Sequence, residues 1–191
     1  MKATHDRAFK EWAVSCQALL DGRQTLLIRK GGIREEGGAF RMNDPEFWLM
    51  PTYEHQNAAL LQPEWLPALD ASQAGARRPS EVTLSGYAVV DTIAVARDDA
   101  QVLTLVHEHI WNPTYVKMRF DFNPYDPLYL VVLRVYRLSE PLTVPMLAEY
   151  DGCKSWVTLD QAYATENLQP VLSDADFALR RDALLDLLPP R

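Results

Sequence analysis

Apolar and polar positions along this chain sort into short runs separated by glycine, proline and polar clusters. In residues 6–20, Phe9, Trp12, Ala13, Cys16 and Leu20 recur at helical spacing, which predicts a first helix with Thr4 or Asp6 able to cap it and Gly22 able to end it. Gln24 to Lys30 reads as a strand. Gly31 to Phe40 reads as a polar loop hinged by Gly31-Gly32 and Gly37-Gly38. Asn43-Asp44-Pro45 is a turn, and Phe47 to Met50 a short apolar strand. Asn57 to Leu61 has the makings of one helical turn, stopped by Pro63. Pro67 and the run from Ser72 to Ser80, with Arg77-Arg78-Pro79, read as exposed loop.

The second half carries longer signals. Val82 to Ala96 is rich in Val, Ile, Thr and Tyr and is predicted extended, with a bend at Gly86 or Asp91. Asp98-Asp99 opens a helix in which His109 shares the apolar face with Val102, Leu105 and Val106, and His107 turns away. Asn112-Pro113 breaks it and starts another helix, with Tyr115, Met118, Arg119 and Phe122 on one face. Leu128 to Leu138 is nearly continuous in apolar residues, as in a central strand covered on both sides, and Arg134 within it needs a carboxylate or carbonyl partner. A further strand is expected near Ser155 to Leu159. Ser173 and Asp176 form a capping box for a last helix packed through Phe177, Leu184, Leu185 and Leu188. Strands and helices mix without regular alternation. The expected fold class is therefore α+β, with a curved mixed or antiparallel sheet and flanking helices, over a single domain spanning 1–191.

Composition narrows this little. The chain has 191 residues and a net charge of −7. Residues 1–80 balance ten Lys and Arg against ten Asp and Glu, so the whole excess lies in the acidic second half. A generally basic surface is excluded, and any nucleic-acid contact belongs to a local patch in the first half. Two cysteines are too few for a disulfide framework or a cysteine zinc site, and Cys16 sits on an apolar stripe as a buried thiol. No apolar run is long enough to span a bilayer, and a cytoplasmic setting is the default expectation, with no membrane partner.

The candidate chemistry lies between Arg29 and Gln56. Gly31 to Gly38 is neither a Walker loop nor a dinucleotide fingerprint, and its Arg34-Glu35-Glu36 only faintly echoes a Nudix helix. Arg29, Lys30, Arg34 and Arg41 around it suit phosphate. Pro51-Thr52-Tyr53-Glu54-His55-Gln56 offers hydroxyl, phenol, carboxylate, imidazole and amide in succession beside a core strand. On an extended segment Tyr53 and His55 would share a face, and Glu54 would oppose them. His107-Glu108-His109 lacks the His-Glu-x-x-His pattern, and on a helix its imidazoles cannot chelate together. No metal site is assigned, and the sequence leaves the cofactor unknown.

Several of these segments also carry a resemblance. Phe9 to Val14, Lys30 to Glu35, Pro51 to Gln56, His109 to Asn112, Pro127 to Tyr129, Leu133 to Leu138 and Gly152 to Val157 occur in order, and together the chain closely resembles the bacterial family catalogued as domain of unknown function 1802. The resemblance implies no established activity, only a setting near DNA restriction or processing. In that family's pattern His109 recurs and His107 does not. A weaker, fold-level likeness is to PUA-like barrels of the ASCH type.

The expected function is that of a nucleic-acid-associated domain, for DNA or RNA. Arg29, Lys30, Arg34 and Arg41 would meet phosphate, while Tyr53, His55 and Trp111 would stack on or hydrogen-bond a base. His109, Arg119 and Glu54 would line the same cleft. A hydrolase, such as a metal-dependent nuclease, is the rival, with Glu35, Glu54, His55 and His109 as its catalytic candidates. An acidic protein-interaction domain is the third reading. The discriminating geometry is whether His55 and His109 open onto one surface.

Overall fold

A computed structural model describes residues 1–30, 33–36, 39–74, 80–152 and 154–188; for 33–36 and 39–41 it describes the backbone alone. Gly31-Gly32, Gly37-Gly38, Arg77-Arg78-Pro79, Cys153 and Pro189-Pro190 lie outside the described residues. In chain order the elements are β1 (Thr4–Trp12), α1 (Ala13–Leu20), β2 (Leu26–Arg29), β3 (Ile33–Glu36), β4 (Ala39–Met42), β5 (Glu46–Thr52), α2 (Leu66–Ala74), β6 (Glu81–Ala96), α3 (Asp99–Leu103), α4 (Pro113–Asp121), β7 (Leu128–Pro145), β8 (Trp156–Ala164), β9 (Leu168–Pro170) and α5 (Asp174–Asp186). Short 3₁₀ turns occur among them, including Ala58–Leu60 and Val106–Glu108. The fold class is α+β, as expected.

The main sheet runs β2-β7-β6-β5-β1-β8, with β9 also paired to β7. It is mixed: β1 and β5 are parallel, and the other pairings are antiparallel. Strand β7 is interior, next to the short edge strand β2. The two longest strands, β6 and β7, pair over most of their length with register shifts between Leu84 and Gly86 and between Val90 and Thr92. Such bulges bend a strand and increase its twist.

Continuous apolar runs fill both faces of the sheet. Leu26, Ile28, Leu130 and Val132 pack with Val14, Phe177 and Leu184 in one core. Their odd-numbered neighbours Leu27, Val131 and Leu133 pack with Phe9, Phe47 and Leu49 in another. The split is the two-residue period of a strand buried on both sides. The second core joins Phe9 of β1 and the half-buried Trp156 of β8 to residues of β2 and β7, so opposite ends of the sheet curl around one cluster. Arg29 of β2 donates to Ser155 Oγ, just before β8, at 2.7 Å. The sheet is open in its ladder but curved far enough for a side chain to bridge its two edges.

Several expectations are corrected. Residues 6–20 are not one helix but β1 followed by α1. Phe9 and Trp12 belong to the strand and Cys16 and Leu20 to the helix, so the helical spacing straddles a junction. Strand β1 is held by its parallel ladder to β5 and its antiparallel ladder to β8, and such long-range pairing overrides local periodicity. The polar loop Gly31–Phe40 contains a hairpin, β3 paired with β4. The stretch after Pro67 is helical as far as Ala74, with Pro67 in the first turn, where proline is tolerated. Among the described residues no helix is long and apolar enough to cross a membrane.

Other expectations hold. Ser173 caps α5 by accepting from Asp176 N, and Asn112 caps α4 by accepting from Tyr115 N. Arg134 finds both predicted kinds of partner, Asp174 Oδ1 at 2.6 Å and Ser173 O at 3.2 Å. Cys16 is a buried free thiol, and burial pushes its pKa well up.

Candidate functional site

Six segments converge on one open cleft of about 360 Å³: the end of β1, the end of β2, the end of β5 with the turn after it, the 3₁₀ turn at Leu60, Trp111 with the helix α4 that follows it, and the loop before β8. The end of β1 supplies Lys10, Glu11 and Trp12, and β2 supplies Arg29. The turn supplies Thr52, Glu54 and His55, α4 supplies Tyr115, Met118 and Arg119, and the loop supplies Gly152, Lys154 and Ser155.

Local chemistry fixes each wall. Thr52 Oγ1 donates to Glu11 O at 3.1 Å. Gln56 Oε1 accepts from Val14 N at 3.0 Å, capping α1 from a distance because Trp12, its own capping residue, has no side-chain acceptor. The polar hexad is thus pinned at both ends onto the β1–α1 junction, and its middle residues, Glu54 and His55, turn outward and are exposed. His55 has φ of +64°. That left-handed backbone is uncommon away from glycine and re-aims the side chain. It explains why Glu54 and His55 both line the cleft, against the strand alternation expected from sequence.

Helix α4 is locked in place by its cap. Asn112 Nδ2 donates to Ala59 O and Leu61 O at 2.8 and 3.2 Å, tying the helix start to the 3₁₀ turn Ala58–Leu60. Tyr115, Met118 and Arg119 then follow at i, i+3 and i+4 on one face. On the loop side, Lys10 Nζ donates to Tyr150 O and Gly152 O at 2.5 and 2.9 Å, and Lys10 N donates to Ser155 O at 2.8 Å.

The electrostatics are unusual. Glu11 is 11% exposed at its side chain and its nearest cation, Arg29 Nη1, is 4.0 Å away. Its Oε1 accepts from Trp12 N at 2.8 Å. Burial raises the Glu11 pKa, opposed by Arg29, by the Trp12 amide and by Arg119. The Tyr115 phenol is pushed up to about 12, by burial first and then by Glu11, with Arg119 and Arg29 opposing. The Arg29 guanidinium lies 4.8 Å from the centre of the Phe9 ring. Yet among the described residues Arg29 Nε and Arg119 Nε are buried with no hydrogen-bond partner. Two buried donors without partners beside a loosely paired carboxylate are costly to stability.

Arg29, Glu54, His55, Trp111 and Arg119 line this cleft together. Trp111 is nearly buried: it stacks on Tyr115 at 3.9 Å and 11°, and meets Trp12 edge to face at 5.0 Å. One of its ring faces is therefore taken within the protein. His109 does not join the cleft. It is 2% exposed, its Nδ1 accepts from Trp111 N at 3.2 Å, its Nε2 lies 3.3 Å from Val102 O, and burial lowers its pKa. A sealed, neutral imidazole with both nitrogens engaged is a core group. The expected catalytic set of Glu54, His55 and His109 therefore does not form.

Lys30 is also corrected. It is 8% exposed, and its ammonium is taken up by Phe120 O, Asn123 O and Asp126 O at 3.4, 3.0 and 2.6 Å, which ties down the end of α4. Tyr53 lines a different groove, between α1 and α2, with Cys16, Leu49 and Ala71. The side chains of Arg34, Glu35 and Arg41 lie outside the described residues; their backbones pair across the β3–β4 hairpin. Among the described residues no group of three or more His, Cys, Asp or Glu is placed to hold a metal.

Lys10, Glu11, Tyr115, Lys154 and Ser155 are cleft residues that sequence reasoning did not single out. Lys10 and Glu11 vanish into the solvated face when residues 6–20 are read as a helix. The usable signal was the conjunction of Lys10-Glu11-Trp12 with Ser155-Trp156-Val157, two segments that share the family resemblance and pair in the sheet through β1 and β8.

The family model described as domain of unknown function (DUF1802) matches residues 8–183. The chain belongs to that family. No curated protein matches it. Among solved structures, an ASCH protein from Zymomonas mobilis matches at 14% identity over 81% of this chain and 87% of its own, with a TM-score of 0.45. A point mutant of that protein matches at 12% identity over 84% and 92%, also with a TM-score of 0.45. The match of the DUF1802 model takes in the segments that build the cleft, from β1 to the loop before β8.

Proposed function

We propose that this DUF1802 domain binds single-stranded nucleic acid by taking one nucleotide into the cleft. The observation that carries the reading is the gathering of Lys10, Arg29, Arg119 and Lys154 around one open cleft walled by Trp12 and Tyr115. A nucleotide supplies what the cavity lacks. Its acceptor oxygens take the free Arg donors, and its planar ring suits the Trp12 and Tyr115 surfaces. Lys10, Arg29, Arg119 and Lys154 outnumber Glu11 and Glu54 in the cleft, although the chain as a whole carries −7. The potential is thus locally attractive to phosphate on a protein that otherwise repels it. A base inside a duplex cannot enter such a cleft, so an unstacked strand or loop is the fitting substrate.

His109 lies elsewhere in the core, so the geometry favours binding over the hydrolase reading. The test is fluorescence anisotropy with labelled single-stranded and duplex RNA and DNA at low salt. Single strands are expected to bind, duplexes to bind more weakly, and Arg119→Ala to weaken single-strand binding about tenfold. Absence of binding to every strand type contradicts the proposal.

A further inference from the structure

Resting on that reading, we infer that Glu11 and Arg29 together read the edge of the bound base and select guanine. The inference starts from the order of donors and acceptors along the cleft floor. Arg29 Nη2 donates to Ser155 Oγ, which leaves the N–H donors of Nη1 without a hydrogen-bond acceptor among the described residues. Glu11 lies beside it, Oε2 being 4.0 Å from Arg29 Nη1, too far for a hydrogen bond between them. An ionised carboxylate only accepts, and it does so through two oxygens side by side. Among the described residues the one hydrogen bond to the carboxylate, from Trp12 N to Oε1, leaves acceptor capacity on both oxygens.

The floor therefore reads donor, acceptor, acceptor. The complementary base edge must read acceptor, donor, donor. Guanine does so on its pairing edge, through its O6 carbonyl, its N1–H and its 2-amino group. Uracil reads acceptor, donor, acceptor, which sets a carbonyl against a carboxylate oxygen. Cytosine reads donor, acceptor, acceptor, and adenine offers a donor beside an acceptor; both put like against like. Burial sharpens the choice, because an unmatched acceptor at a nearly buried carboxylate has no water to turn to. Arg119, with Lys154 and His55 at the rim, is left for the phosphate.

The probes are five labelled single-stranded RNA pentamers of uridine whose central base is guanine, hypoxanthine, adenine, cytosine or uracil. Hypoxanthine lacks only the 2-amino group. Guanine is expected to bind about tenfold more tightly than hypoxanthine and more tightly still than the other three. Glu11→Gln replaces one acceptor with a donor while keeping an oxygen for Trp12 N, and is expected to erase the difference between guanine and hypoxanthine. Arg119→Ala is expected to weaken all five and keep their order. Equal affinity for guanine and hypoxanthine, or an unchanged order in Glu11→Gln, overturns the base assignment and leaves nucleotide binding standing. Failure of all five to bind overturns both.

Discussion

Two Glu–Arg pairs in this molecule use the same side chains to opposite ends. Glu108 and Arg180 are fully engaged: Arg180 Nη2 and Nε reach Glu108 Oε2 at 2.6 and 3.1 Å, Thr25 Oγ1 donates to the same oxygen at 2.9 Å, and the guanidinium also donates to Gly22 O. Glu11 and Arg29 stand 4.0 Å apart, with Arg29 Nε unpartnered among the described residues. The first pair fastens α5 to the Gly22–Thr25 segment and to the turn before His109. The second is left open at a cleft. A satisfied ion pair is architecture, whereas on the proposed reading a loosely paired one at a cleft is where the nucleotide binds, retained despite its cost to stability.

The comparison breaks most visibly at Glu108. Glu108→Ala strands Arg180, and since both side chains keep about a fifth of their exposure the loss should be about 2 kcal/mol rather than the full value of a buried pair. Urea denaturation should show it, with no change in the affinity for single strands. Next comes Arg119→Ala, which should cost about 1.4 kcal/mol of binding, the tenfold loss proposed above, and less than about 0.5 kcal/mol of stability.

Glu11→Gln should go the other way and stabilise the free protein by about 1 kcal/mol at neutral pH. The sign follows from its raised pKa: ionised Glu11 is disfavoured in the fold, so wild-type stability falls as pH rises through that pKa. Wild type and variant should converge below the unfolded carboxyl pKa of about 4.3 and separate above it, as thermal melts across pH would record. The smallest effect is Lys154→Ala. Its ammonium is exposed and, among the described residues, bonded only to Glu149 O at 3.2 Å, so a roughly twofold loss of affinity, shrinking with salt, is expected.

Legibility from sequence divides along the same line. The satisfied parts were readable where signals were local. The Ser173 box and the Asn112-Pro113 start announced α5 and α4, the β-rich run announced β6, and the long apolar run announced β7. Arg134 declared its need for a partner by sitting in that run. Strand β1 was not readable, because Phe9, Trp12 and Cys16 mimic a helix across a strand–helix junction that only β5 and β8 disambiguate. The cleft was half readable. Arg29, Glu54, His55 and Arg119 were legible as polar groups lacking structural reasons. Lys30 and His109 looked the same in one dimension, but carbonyls three-dimensionally close to them absorb their polarity. Glu11 was hidden because its oddity, an Arg29 guanidinium held 4.0 Å away, is one that no sequence spacing records.

The most direct measurement is a ¹⁵N NMR titration observing arginine Nε–H resonances as a guanine-centred single-stranded RNA pentamer is added. The Arg29 and Arg119 signals should move together with saturation, and that of Arg180 should stay still. Movement of Arg180 in place of the other two, or no movement of Arg29 and Arg119 at saturating RNA, would contradict the account.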